Sequence, residues 1–207
     1  MNLPPVSAKT ITRIQAVAIA IGLVTVMVVL AGFAYFLNTT SSPTTPSLHL
    51  PLEDLKWTLE VNGLVRHHLN LSIAELTTMP RSTVDAALYC LPFPAATTGS
   101  LVDFGNWSGV RLGLILEKAG VLPGVVKIAF YAKDGFTTDL TITAAMNDDI
   151  IIAYEKDGEV LPQKLRLVVP GRWGYKWIHS LIRIEAVDYD FRGLYESGGF
   201  PDNAEIT

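Results

Sequence analysis

Residues 165–184 read LRLVVPGRWGYKWIHSLIRI, and this stretch decides the fold. It begins with a short apolar and β-branched run, 165–169, which Pro170 and Gly171 end, as is typical of a buried strand. Residues 181–186 return to an apolar alternation, which predicts a second, half-buried strand. We therefore expect the core to fix the intervening loop at both ends.

The loop contains residue types that hold anions. It combines two cations with a glycine, where backbone can approach a ligand closely, and an aromatic ring: Arg172, Lys176, Gly174 and Tyr175. His179 follows and could reach the same ligand, although a position on the protein surface suits it equally. A tight connection with solvated side chains is the alternative interpretation of this loop.

The remainder of the expected folded domain, residues 52–207, contains many short strands and few helices. Strands are predicted at 57–61, 68–71, 82–90, 127–132, 136–142 and 150–154, and helices at 72–76 and 111–119. Ser72 and Glu75 form a capping box at the start of the first helix. Asp134-Gly135 and Asp157-Gly158 are signals for hairpin turns. The pattern indicates a mixed, strand-rich α+β domain.

The N-terminal part predicts a membrane anchor. Residues 16–37, AVAIAIGLVTVMVVLAGFAYFL, carry no charge and are long enough, as a helix, to cross a hydrocarbon core of roughly 30 Å. A cleaved signal peptide is the competing interpretation. Lys9 and Arg13 place residues 1–15 in the cytoplasm, so the C-terminal domain should be periplasmic or otherwise extracytoplasmic on a single-pass protein. The Ser/Thr/Pro-rich residues 38–51 are expected to be a linker.

Composition limits the possible functions. The formal net charge of −4 argues against a nucleic-acid partner, and neither a dinucleotide-binding glycine motif nor a Walker phosphate loop is present. Cys90 is the only cysteine, so an intrachain disulfide is impossible. Cys90 is either a small buried hydrophobic residue or a thiolate that binds a metal.

Several short motifs occur in an order that points to a known family. These are Tyr89-Cys90, then Trp107-Ser108-Gly109-Val110, Asp134-Gly135-Phe136, the loop already described, and the closing segment LYESGGF at 194–200. Together they resemble the oxidoreductase molybdopterin-binding domain, the fold of sulfite oxidase and of the catalytic subunit of periplasmic methionine sulfoxide reductase. The resemblance covers residues 57–200.

The resemblance implies a cofactor site but identifies no catalytic residue. In this family a single cysteine at a strand end binds molybdenum, which assigns Cys90 as the metal ligand. It likewise assigns the pterin part of a molybdenum-molybdopterin cofactor to the loop residues, namely Arg172, Gly174, Tyr175, Lys176 and His179. The expected function is then that of a membrane-anchored, molybdenum-dependent oxidoreductase.

Three departures from the family pattern favour an alternative. Residues 91–96 after the cysteine are apolar where family enzymes often have cations, and only residues 162–164 precede the LRLVVP strand where many members have a longer loop. Arg13 is the only arginine before the apolar segment, so no twin-arginine signal is present. The alternative is a cofactor-free structural subunit that contacts other subunits of a membrane electron-transfer or photosynthetic complex.

Overall fold

The computed structural model describes residues 57–91 and 99–206, together with Met27. Apart from Met27, the predicted membrane segment 16–37 lies outside the described residues, as do the linker and residues 92–98. Within the described part, no helix has both the length and the apolar character needed to span a membrane.

Residues 57–91 and 99–206 contain ten strands and four short helices. The strands are β1 (Thr58–Gly63), β2 (Leu69–Ser72), β3 (Arg81–Cys90), β4 (Ser100–Arg111), β5 (Lys127–Ala132), β6 (Thr137–Thr141), β7 (Ile151–Lys156), β8 (Glu159–Val160), β9 (Arg166–Val168) and β10 (Leu181–Val187). The helices are α1 (Ile73–Thr78), α2 (Leu112–Ala119), α3 (Ile142–Ala145) and α4 (Leu194–Ser197), and a 3₁₀ turn covers Gly174–Lys176.

The strands form two sheets around one apolar core. The first sheet has the order β2-β1-β10-β5-β6, and the second has the order β3-β4-β7-β8 with β9 paired to β7. All pairings are antiparallel except that of β1 with β10. Buried side chains from both sheets belong to one contiguous cluster. The predicted strand-rich α+β class is confirmed.

The structure confirms the sequence signals for helix caps and for the turn between β7 and β8. The Ser72 hydroxyl accepts a hydrogen bond from the Glu75 amide, and the Glu75 carboxylate accepts one from the Ser72 amide, which confirms the capping box. Gly120 ends α2 with a left-handed φ of 68°. Asp157 and Gly158 have φ values of 52° and 83° in the two-residue turn between β7 and β8.

The sequence did not predict β4, the longest strand. Its residues include Asp103, Asn106 and two glycines, which are poor strand formers. β4 is nevertheless the central strand between β3 and β7, and an added Cβ at Gly109 would lie 2.0 Å from the Ile152 carbonyl oxygen. Pairing on both sides therefore outweighs local propensity. Similarly, Ile142 was expected to end a strand, but it begins α3 after the Thr141 cap.

The loop between β9 and β10 is fixed by the core, as expected. Trp177 and Ile178 are each 2% exposed. The Trp177 ring contacts Trp107 of β4 edge-to-face with 5.9 Å between centroids, and its indole N–H donates to the Arg172 carbonyl oxygen at 3.1 Å. The ring contact joins the loop to the second sheet, and an added Cβ at Gly174 would lie 2.5 Å from the Cys90 sulfur, which places the loop beside the end of β3.

Candidate functional site

A cavity of about 220 Å³ opens at the end of β3. Cys90 and Leu91 form one side of the cavity, while the 3₁₀ turn and the residues after it form another. The side chains of Phe136 and Tyr195 contribute aromatic surface. Cys90 is half-buried, and burial raises the pKa of its thiol. A single sulfur donor in this cavity matches the donor that the family resemblance predicts for a metal.

The backbone at Gly174 approaches the thiol closely. An added Cβ at this position would lie 2.5 Å from the Cys90 sulfur and 3.0 Å from the Tyr89 carbonyl oxygen. Any other residue would therefore push the thiol or the strand aside. The close approach at Gly174 is therefore to the Cys90 thiol and the end of β3, and its predicted approach to a ligand stays a prediction.

Arg166 was not among the predicted site residues, yet its charge acts on the Cys90 thiol. Its guanidinium sits over the Trp107 ring at 5.6 Å from the centroid. The Arg166 Nε is buried and has no hydrogen-bond partner among the described residues. Burial lowers the pKa of Arg166, and its positive charge acts to lower the pKa of the Cys90 thiol against the larger effect of burial. A half-buried cation whose Nε is buried and has no hydrogen-bond partner among the described residues is suited to bind an anionic or polar ligand atom.

The sequence contained a signal for Arg166. It interrupts the otherwise apolar run at 165–169, and an arginine in a buried strand requires a partner or a ligand.

Lys176 occupies a different environment from the one predicted. Its side chain is fully buried, and Nζ lies 2.6 Å from Glu196 Oε1 and 3.3 Å from Asp139 Oδ1. Nζ also donates to the Asp139 carbonyl oxygen at 3.0 Å. Lys176 is not among the residues that line the cavity. The amine expected to hold an anionic cofactor group therefore faces carboxylates.

Arg172 is bonded to the C-terminal segment. Its guanidinium donates to the Asn203 carbonyl oxygen, and its backbone forms a β-bridge with Glu205. The neighbouring Trp173 amide donates to the Ala204 carbonyl oxygen at 2.8 Å. Like Lys176, Arg172 does not line the cavity.

Tyr175 and His179 do line the cavity. The Tyr175 ring stacks on Tyr195 with 5.6 Å between centroids and an interplanar angle of 4°, and its hydroxyl donates to the Pro201 carbonyl oxygen at 2.6 Å. His179 is exposed, with Nδ1 3.2 Å from the Ser180 hydroxyl oxygen. The structure thus brings Gly174, Tyr175 and His179 together with Cys90.

The described residues fit the metal end of a molybdenum-molybdopterin group better than its phosphate end. Cys90 offers a sulfur ligand, and the Arg166 Nε offers a free donor nearby. By contrast, the cations that the sequence assigned to the anion, Arg172 and Lys176, bond to carbonyl and carboxylate oxygens of the chain itself. Within residues 57–91 and 99–206, no three His, Cys, Asp or Glu residues form a metal-binding group.

Comparison with known proteins agrees with the resemblance. Residues 47–195 match the family described as the oxidoreductase molybdopterin binding domain. The chain is 32% identical over 168 residues to the uncharacterized oxidoreductase YuiH of Bacillus subtilis, a match that covers 78% of this chain and 82% of YuiH. It is 29% identical over 157 residues to the catalytic subunit of the protein-methionine-sulfoxide reductase MsrP of Gluconobacter oxydans, which covers 66% of this chain and 48% of MsrP.

A solved structure shares the fold. The crystal structure of the sulfane dehydrogenase SoxCD from Paracoccus pantotrophus superposes with a TM-score of 0.59 and 26% sequence identity, covering 68% of this chain and 40% of that chain. The chain therefore spans most of YuiH but less than half of the MsrP subunit and of the SoxCD chain. The family match covers most of the chain and includes both Cys90 and the loop beside it, so this protein belongs to the oxidoreductase molybdopterin-binding domain family.

Proposed function

We propose that this chain is a membrane-anchored, extracytoplasmic oxidoreductase that binds a molybdenum-molybdopterin cofactor, with Cys90 as the sulfur ligand of the metal. One observation carries the proposal. The Cys90 thiol lies in a cavity where the Gly174 backbone leaves no room for a side chain, and the charge of Arg166, whose buried Nε has no hydrogen-bond partner among the described residues, acts on this thiol from outside the cavity lining. A core cysteine of purely structural use requires none of these features.

Each residue of the site has a distinct task in this proposal. Cys90 binds the metal as a thiolate. Arg166 donates to an oxygen of the cofactor and stabilises negative charge beside the thiolate. His179, at the exposed edge, donates to an anionic oxygen, and the Tyr175 and Tyr195 rings keep water from one wall of the site. The bound cofactor supplies two-electron oxygen-atom chemistry, while the protein supplies position and charge.

The membrane assignment depends on residues 16–37 and on the positive charges before them. Protease added outside intact cells or spheroplasts should digest the domain after residue 52 while the cytoplasmic N-terminus stays protected. Digestion of the domain only after the membrane is opened would contradict the orientation. A tag placed before residue 9 is the matched internal control.

Metal analysis tests the cofactor. The full chain, purified at native expression level from a host that makes the cofactor, should contain about one molybdenum per chain, as expected for a single thiolate ligand. Cys90→Ser should lose the metal without unfolding. Ser100→Ala is a matched control because Ser100 pairs with Cys90 across the hairpin but does not line the cavity. Molybdenum and pterin fluorescence at background in the wild-type protein would contradict the proposal.

A second function is favoured by a separate observation. Arg172 and Lys176 are bonded within the chain, so two cations that would hold the cofactor phosphate already have partners. This arrangement suits a cofactor-free subunit that keeps the fold and contacts other subunits of a membrane complex. Purification in mild detergent tests it, because this function requires a stoichiometric partner together with molybdenum at background.

A further inference from the structure

Two consecutive residues of the 3₁₀ turn contact two consecutive residues of α4. The Tyr175 ring stacks on Tyr195, while Lys176 Nζ pairs with Glu196 Oε1 at 2.6 Å. The ring pair lines the Cys90 cavity, whereas both side chains of the ion pair are fully buried. The same two segments are therefore joined once on the cavity side and once in the interior.

The interior contact fixes the position of α4. This helix has only four residues, too few to be stable alone, and Glu196 is its only buried residue. The Glu196 carboxylate accepts a hydrogen bond from the Thr138 hydroxyl at 2.7 Å in addition to its contact with Lys176. A buried ion pair with such hydrogen bonds holds its partners in one geometry, because moving either partner leaves a charge unpaired away from water.

We infer that the Lys176–Glu196 ion pair is a clasp that holds Tyr195 against Tyr175 and so forms the wall of the Cys90 cavity. Lys176 is then a positioning residue that pairs with carboxylates of the chain and does not itself bind the anionic part of the cofactor. The inference rests on the proposed function only in that the cavity is taken as the cofactor site. The clasp itself can be tested without cofactor.

The reactivity of Cys90 reports on the wall. Cys90 is the only cysteine of the chain and is half-buried in this cavity, so the rate at which a thiol reagent reacts with it should rise when the wall is held less firmly. The experiment uses the full chain in detergent, produced in a host that lacks the cofactor. The second-order rate constant with 5,5′-dithiobis(2-nitrobenzoate) is measured for Lys176→Met, for Glu196→Gln and for the double variant.

The clasp predicts a specific pattern of rates. Each single variant should react roughly tenfold faster than the wild-type protein, since local opening becomes easier. The double variant should react no faster than the faster single variant, because both changes break the same contact. Glu196→Gln keeps the volume and a hydrogen-bond acceptor, so it tests the clasp even if Lys176→Met does not fold.

Arg81→Met is the matched control. Arg81 pairs with the buried Glu155 at 2.5 Å at the opposite end of β3 from Cys90, so its loss removes an ion pair from the same strand without touching the cavity. Its rate should remain within about twofold of wild type, as for independent sites. Equal acceleration by Arg81→Met would show general loosening and would overturn the clasp.

A second readout separates a clasp from an anion ligand. In the cofactor-loaded protein, the clasp predicts that both Lys176→Met and Glu196→Gln lose molybdenum faster than wild type on dilution. If Lys176 binds the anion directly, Glu196→Gln instead releases the lysine and retains the metal as well as wild type or better. Unchanged thiol rates in both single variants would overturn the inference, and that result is independent of whether molybdenum is ever bound.

Discussion

The two sides of the 3₁₀ turn Gly174–Lys176 contact different environments. Gly174 and Tyr175 face the cavity, and the Arg166 Nε, which acts on Cys90 from outside the cavity lining, has no hydrogen-bond partner among the described residues. Lys176 faces the interior, where carboxylates surround it. The interior side is ion-paired but not fully hydrogen-bonded, since Glu196 Oε2 and Asp202 Oδ1 also lack a hydrogen-bond partner among the described residues. Paired buried charges specify a structure, whereas a buried donor without a partner is available to a ligand. Neighbouring residues of one loop therefore lie in two environments, and under the proposed function one environment would serve binding and the other stability.

The interior side extends to a second buried lysine. Lys127 contacts Asp139 at 2.9 Å, Asp190 at 2.6 Å and Asp202 at 2.8 Å. Burial alone would lower the pKa of Lys127, but its hydrogen bonds to these carboxylates raise it. Burial also raises the pKa of Asp139, although Lys176 opposes this effect. Lys127 thus helps to hold the pKa values of Asp190 and Asp202 below their usual range, whereas at Asp139 burial outweighs the two lysines.

Removing the interior ion pairs of Lys127 should have the largest effect on stability. Lys127→Met leaves Asp139 buried with one cation fewer, so the free energy of unfolding should fall by about 3–5 kcal/mol. Urea unfolding followed by tryptophan fluorescence measures this change. Arg111→Met is the control, since it removes an exposed pair with Asp148 and should cost only about 0–1 kcal/mol. An equal loss of unfolding free energy in the two variants would contradict the view that the buried ion pairs of Lys127 stabilise the fold.

On the cavity side, Gly174→Ala should cost about 1–3 kcal/mol because the new Cβ overlaps the Cys90 sulfur. It should also change the reaction rate of Cys90 with thiol reagents. Gly113→Ala is the matched control: the nearest atom to its added Cβ lies 3.7 Å away, and alanine in α2 should stabilise by up to about 1 kcal/mol. Full stability of Gly174→Ala would show that the thiol moves freely, contrary to a built metal site.

The charge of Arg166 can be tested through the pH dependence of Cys90 alkylation. The positive charge favours the thiolate, so Arg166→Met should raise the pKa of Cys90 further and slow alkylation by iodoacetamide at pH 8. The whole rate profile should move to higher pH, while the rate at the alkaline plateau changes little. Arg81→Met, on the same strand as Cys90, should leave the profile in place. If the pH–rate profile of Arg166→Met matches that of the wild-type protein, Arg166 does not act on Cys90.

Replacing Arg172 should have the smallest effect on stability. The variant tests whether Arg172 stabilises the fold or binds the cofactor. If it belongs to the structural side, Arg172→Met loses the hydrogen bond to the Asn203 carbonyl oxygen and costs about 1 kcal/mol in urea unfolding. Molybdenum content should then stay at the wild-type level. Unchanged stability with reduced molybdenum would instead place Arg172 with the cofactor, as the family resemblance implies.

The sequence by itself determined much of the local structure. The capping box at Ser72, the end of α2 at Gly120 and the turn at Asp157-Gly158 depend on residues close together in the chain. The apolar run at 165–169 likewise predicted a buried strand, and β9 covers most of it. The order of the short motifs was sufficient to indicate the family.

The tertiary structure decided which charges are free. Lys176 meets Asp139 and Glu196 from segments 37 residues before it and 20 residues after it, and no local pattern predicts such an encounter. β4 likewise depends on pairing with two other strands. Residue type fixes what a side chain can bond, but its partner depends on long-range packing. The sequence could therefore identify the residues of the loop, whereas only the fold could separate Gly174 and Tyr175 at the cavity from Lys176 in the interior.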